Sequence, residues 1–184
     1  MKKILVASIL FLCWAGSTWG LNQKQSVDSV ESSNNAYAEQ ETVFRQSIPS
    51  IADQFIGISY ELGGNPQLSG SSDNSYLFFS IYTLAAEKAG LSYGDYLPMA
   101  DLLANTREVD KNDLQNGDLI VLNNNLAAMI YWIDESGKMY FLYASETRQQ
   151  IIAFNSENPV FEMYWLENLK GFYRISDTLL SPIP

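Results

Sequence analysis

The chain has 184 residues, 47% of them hydrophobic and 13% aromatic, which suffices for one ordinary domain with a packed core. Lys and Arg number 11 against 21 Asp and Glu, a formal net charge of −10. That balance argues against nucleic acid as a partner, because affinity there comes largely from basic side chains neutralising phosphates. There is no histidine, and the single cysteine is Cys13. Cys–His and Ser–His catalysis, zinc sites of the His/Cys kind and intramolecular disulfides are therefore excluded.

Lys2 and Lys3 precede an apolar run from Ile4 to Trp14, followed by Ala15, Gly16 and Ser17. This order of charge, apolar core and small residues predicts a secretory signal peptide over 1–20, with cleavage after Ser17 or Gly20. The run is shorter than the roughly 20 residues of a membrane span, so no stable membrane anchor is expected. Leu12 stands before Cys13 where lipoprotein signals carry a small residue, which speaks against lipidation. The mature protein is expected to be exported, to the periplasm or the extracellular space. Residues 21–46 are rich in Gln, Ser, Asn and Glu and read as a disordered polar leader. The globular domain is expected over 47–176, with 177–184 as a C-terminal tail.

Within the domain, Ser47 offers a helix N-cap with Pro49 in the first turn, and Ile51, Phe55 and Ile56 share a face. Gly57–Gly64 (GISYELGG) reads as an extended piece running into a turn. Gly70–Leu77 (GSSDNSYL) leads into a helix capped by Ser72 or Asp73, with Leu77, Phe78, Ile81, Leu84 and Ala85 at helical spacing. Gly90 supplies its stop. A short helix is predicted around Met99–Asn105, then strands over Asp118–Leu122, Ala127–Ile133, Lys138–Ala144, Gln149–Phe154 and Gly171–Ile175. The second and third of these form a hairpin across Asp134–Gly137. Helices first and hairpin-linked strands afterwards predict an α+β domain with an antiparallel sheet.

In this order the segments resemble the NlpC-type cell-wall peptidases, papain-like enzymes that cut peptide cross-bridges and stems of bacterial peptidoglycan. Tyr60, Gly63 and Gly64 match that family's Tyr-x-x-Gly-Gly segment, and Asp73-Asn74-Ser75 stands where Asp-Cys-Ser opens its nucleophile helix. Leu97-Pro98 and Leu114–Leu122 match the approach to the first central strand. Ala127–Tyr131 resembles the His-x-Gly-Ile-Tyr strand, and Tyr143-Ala144-Ser145 the His-Ala-Ser that ends the next. The resemblance covers roughly 48–175 and implies a papain-like NlpC-type fold, with N-terminal helices packed on an antiparallel β-sheet. It also implies that Asn74, Ala127 and Tyr143 meet in space as the counterparts of the catalytic cysteine, base and orienting histidine.

None of the three does that chemistry. A side-chain amide is no substitute for a thiolate, and alanine moves no proton. Tyr76 and Met129 replace two further glycines of the pattern and add bulk to the site. The resemblance thus implies a pseudoenzyme with no catalytic residue, metal or cofactor, binding a peptidoglycan stem peptide or a protein partner through a vestigial cleft. Candidate contacts are Tyr60, Asp73, Asn74, Ser75, Tyr76, Met129 and Tyr143. Two alternatives stay open: a structural or regulatory subunit with a closed cleft, and a cell-wall hydrolase with Ser75 as a non-standard nucleophile. Simpler readings exist for several residues. Asp73 serves as a helix cap, Tyr60, Tyr131, Trp132 and Tyr143 as core or as an aromatic platform, and Asp95, Asp101, Asp110 and Asp113 as a solvated acidic face.

Overall fold

The computed structural model describes residues 19–183, so the signal-peptide expectation falls largely outside the described residues. The chain divides into 1–36, whose described part opens the first helix, and 37–184, which carries every feature that follows. That helix, α1 (Trp19–Ala52), corrects the N-terminal reading: it starts well before Ser47, inside the segment read as a disordered leader. The signal for it is apolar. Phe44, Ile48, Ile51 and Ala52 recur at helical spacing and are all buried. Ser47 is no cap, since its hydroxyl donates to Phe44 O at 2.8 Å within the helix. Pro49 lies inside the helix and cannot donate to the carbonyl of Arg45. The Asn116 amide donates to that carbonyl instead, at 3.4 Å, which is how the proline is accommodated.

The remaining elements are β1 (Ser59–Tyr60), β2 (Ser71–Ser72), α2 (Asn74–Ala89), β3 (Leu91–Tyr93), α3 (Met99–Ala104), β4 (Thr106–Val109), β5 (Asp118–Leu122), β6 (Ala127–Ile133), β7 (Met139–Ser145), β8 (Gln150–Asn155), β9 (Leu169–Ile175) and β10 (Leu180–Pro182). A π-helical turn, Phe161–Leu166, links β8 to β9. The main sheet runs β2-β1-β8-β7-β6-β5-β9-β4, antiparallel throughout except for the β1–β2 pair. The architecture is α+β, with the N-terminal helices on one face of an antiparallel sheet. Within the segment expected as a C-terminal tail, β10 pairs with β3 in a separate two-stranded ribbon. The short edge strand β4 was also not anticipated; Arg107 and Glu108 in its middle hide any strand-like alternation.

Both faces of the sheet are covered. On one, α1 and α2 bring Phe44, Ile48, Leu77, Phe78 and Ile81 against Leu119, Val121, Ala127, Met129 and Leu142. On the other, Phe161 and Trp165 of the π turn pack on Ile120, Leu122, Ile130, Phe141 and Phe172. This double cover explains why every residue of β5 is buried and why Leu119–Leu122 reads as an unbroken apolar run. Each fully buried Leu, Ile or Phe contributes roughly 1.5–3 kcal/mol of transfer free energy. Sequence-reading also missed a buried charge cluster. Asp118, fully buried, accepts from Arg174 Nε at 2.8 Å and Nη2 at 2.7 Å, and from Arg45 Nη1 at 3.4 Å, tying α1, β5 and β9 together.

Candidate functional site

Asp73 is the N-cap of α2, and Asn74 is the first helical residue. One Asp73 carboxylate oxygen accepts from Tyr76 N at 2.9 Å; the other accepts from Gly63 N at 2.9 Å. The cap therefore also holds the loop after β1. Gly64 in that loop has no room for a side chain, because a Cβ there would lie 2.9 Å from both Glu61 O and Ser71 Oγ.

The Asn74 amide is used at both ends. Its Nδ2 donates to Ala127 O on β6 at 3.2 Å, and its Oδ1 accepts from Ala144 N on β7 at 2.6 Å. Asn74 thus fastens the start of α2 to the two central strands. A cysteine at this point would present a thiol; the amide presents a completed pair of hydrogen bonds.

Asn74 and Ala127 meet, but the expected third member does not join them. β6 and β7 pair with Met129 opposite Leu142, and side chains alternate between faces. Ala144 and Ala127 belong to the core under α2, whereas the Tyr143 ring lies on the opposite face. It packs edge-on against Phe154 and Trp165, with ring centroids 5.9 and 5.4 Å away. The expectation that three side chains converge is corrected on this point: the residue of that segment that touches Asn74 is Ala144, through its backbone N–H.

Two more candidates change role. Met129 is fully buried beneath the helices and reaches no open surface. Tyr76 is half-buried, stacks on Tyr96 with centroids 4.0 Å apart and does not line the cleft. Ser75 is 8% exposed and lines the cleft. Tyr60 is half-buried at the cleft's rim; burial, then the charges of Glu146 and Asp73, push its phenol pKa up, so it is a neutral donor at physiological pH.

A cleft of about 920 Å³ opens beside Asn74. On the helix side it is lined by Tyr60, Leu62, Asp73, Asn74, Ser75 and Met99. It passes Glu146, Thr147 and Arg148 of the β7–β8 turn and continues to Tyr143, Ile152, Phe154, Val160, Tyr164 and Trp165 on the other face. The sequence reading missed this second wall. The aromatic run Phe161–Trp165 carried the signal, and its irregular spacing suited neither a strand nor an ordinary helix. Of the other aromatics, Tyr131 is core, while Trp132 is 41% exposed and stacks on Tyr140 at 4.5 Å. Asp101, Asp110 and Asp113 are dispersed: Asp110 caps its own turn through Asn112 N at 2.8 Å, and Asp113 lends its carbonyl to Arg174 at 2.7 Å. Among the described residues, no three Asp or Glu side chains are grouped to hold a metal.

The cleft has the size of a ligand site, an aromatic interior and an amide-rich mouth. The chain has no histidine to serve Ser75 as a base.

A scan against protein-family models finds no match to this chain, and a search of curated proteins finds none either. Among solved structures, one similar chain is a lipoprotein-like protein of the NLP/P60 family from Staphylococcus aureus. It shares 22% identity over 72% of this chain and 41% of that one, with a TM-score of 0.49. Another is the peptidoglycan hydrolase RipB from Mycobacterium tuberculosis, at 14% identity over 74% of this chain and 65% of that one, with a TM-score of 0.48. The matched region spans less than two thirds of either protein's length.

Proposed function

We propose that this is an exported, catalytically inactive peptidase-like protein that binds a cell-wall peptide or a protein partner through the cleft beside Asn74. The observation that carries the reading is the Asn74 amide, which occupies the nucleophile position of the NlpC-type pattern and has both ends engaged by Ala127 O and Ala144 N. A group so engaged neither attacks a carbonyl nor activates water. The open cleft supports binding over the alternative of a structural subunit with a closed one. The acidic surface fits a soluble protein outside the cytoplasm, and among the described residues no helix is long and apolar enough to cross a membrane.

The test has two arms. Purified protein should leave peptidoglycan and stem peptides unchanged over long incubation. Titration of soluble muropeptides or of exported cell-wall proteins should perturb Tyr60 and Tyr164, read by NMR or fluorescence. Turnover that survives purification and disappears in Ser75→Ala would move the assignment to the hydrolase alternative.

A further inference from the structure

β8 is only half covered on its outer side. β1 pairs with it at Ser59 and Gln150, and Ile151 exchanges backbone bonds with Ile58 O at 2.8 Å and Gly57 N at 2.9 Å. Beyond Gly57 the chain turns away, with Ile58 N returning to Phe55 O. Backbone groups of a strand alternate in direction, so Ala153, two residues after Ile151, also aims its N–H and C=O away from β7. Ala153 is exposed and, among the described residues, has no strand on that side.

Such an edge invites an added strand, and proteins usually blunt it with charge or proline. The edge strand β4 does so, carrying Arg107 and Glu108. β8, with the sequence Gln-Ile-Ile-Ala-Phe-Asn, carries neither. Ile152, Ala153 and Phe154 line the cleft, and beside them Val160 and Tyr164 are 55% and 42% exposed, large apolar surfaces left to water.

We propose that the uncovered edge of β8 docks another protein, through an extended, net-basic segment that adds to the sheet as a strand and lays alternate apolar side chains against Phe154, Val160 and Tyr164. This rests on the reading of the cleft as a binding site and specifies which of its ligands the aromatic half takes. Three features select the occupant. The outward N–H and C=O of Ala153, between Ile151 bonded to β1's lead-in and Asn155 O bonded to Asn158 N at 3.0 Å, demand an extended backbone opposite them, and the aromatic wall demands apolar residues at every second position. The formal charge of −10 disfavours a second copy of this chain and favours a basic one.

The probe is a fluorescein-labelled octapeptide of alternating Lys and Val, titrated into the full mature chain and followed by anisotropy. Ala153→Pro removes only the outward N–H, and proline is tolerated at that kind of edge position. It should weaken binding about tenfold, the worth of one backbone hydrogen bond with its neighbours disturbed, while thermal unfolding stays unchanged. A peptide N-methylated at alternate residues should lose binding to the unaltered protein, and a Glu–Val octapeptide should bind more weakly, increasingly so at low salt. Equal binding by wild type and Ala153→Pro, or by plain and N-methylated peptide, overturns the strand docking while leaving the cleft reading intact. Absence of binding at millimolar peptide overturns it too, as does a concentration-dependent dimer that Ala153→Pro abolishes. Failure of muropeptides and of exported wall proteins to perturb Tyr60 bears on the cleft reading alone.

Discussion

Two polar fastenings hold helices to this sheet, one fully buried and one half-buried at the cleft, and they are built from opposite materials. At Asp118 a carboxylate is clamped by Arg174, Arg45 and the Gln115 N–H at 2.8 Å, joining α1, β5 and β9. At Asn74 a neutral amide joins α2 to β6 and β7 with one donated and one accepted bond. The ionic fastening is strong only while complete, because any partner removed leaves a buried charge. The neutral one is weaker and safer. Asn74, at the head of α2, is held by the neutral kind of anchor, with both ends of its amide engaged.

The largest effect should come from breaking the ionic fastening. Asp118→Ala leaves the Arg174 guanidinium, 8% exposed, without its carboxylate and should cost about 3–5 kcal/mol by urea unfolding. Hydrogen bonding to Asp118 raises the Arg174 pKa above its already high ordinary value. With Asp118 ionised, its contribution is thus complete below the unfolded value and is lost as pH climbs through the folded one. The ion pair should therefore add no pH dependence on the arginine side near neutrality.

Asn74→Ala should cost less, about 1–3 kcal/mol, since it leaves Ala144 N and Ala127 O without partners but strands no charge. Asn74→Asp sharpens the contrast. A carboxylate keeps the acceptor for Ala144 N but faces Ala127 O with a second acceptor, so only its protonated form restores both bonds. The folded-state pKa of that variant's carboxyl should rise above the ordinary value of about 3.9. By linkage, its stability should match the parent below that value and fall as pH rises through the raised one. Unfolding curves at low and neutral pH check the sign; a variant equally stable at both would show that the amide's donor is idle.

The difference between the two fastenings also explains what could be read from sequence. α2, its Asp73 cap, β5 and the β6–β7 hairpin were legible because each announces itself locally through spacing, capping or turn chemistry. The order of motifs also set Asn74 beside Ala127, where the amide meets a backbone carbonyl rather than a side chain. Tyr143 was misplaced because facing depends on the register and bulge between β6 and β7, which shift between Ile130 and Trp132, and the linear sequence does not display a bulge. Asp118 and Arg174, 56 residues apart, gave no local sign of pairing. α1 was started at Ser47, with Pro49 in its first turn, because the rescue of the Arg45 carbonyl comes from Asn116, 71 positions away. Local physics reveals elements; long-range polar pairing decides where they stop and which way they face.

The smallest effect expected lies at Asp73, which belongs to both the helix and the cleft wall. Asp73→Ser keeps a capping oxygen for α2, so the cap contribution, about 1 kcal/mol against alanine, should be largely retained. What it loses is the second oxygen and with it the bond from Gly63 N. Global stability should fall by about 0.5–1 kcal/mol, close to the net worth of one hydrogen bond. The diagnostic response is local. Amides of the 61–70 loop, which carries Leu62 into the cleft, should exchange with deuterium faster, while those of α2 keep their protection. Asp73→Ala should instead accelerate exchange in both segments. If the two variants loosen α2 equally, the cap is the whole role of Asp73 and the cleft wall stands without it. If only the loop responds in Asp73→Ser, the carboxylate couples the start of α2 to the loop that shapes the cleft's mouth.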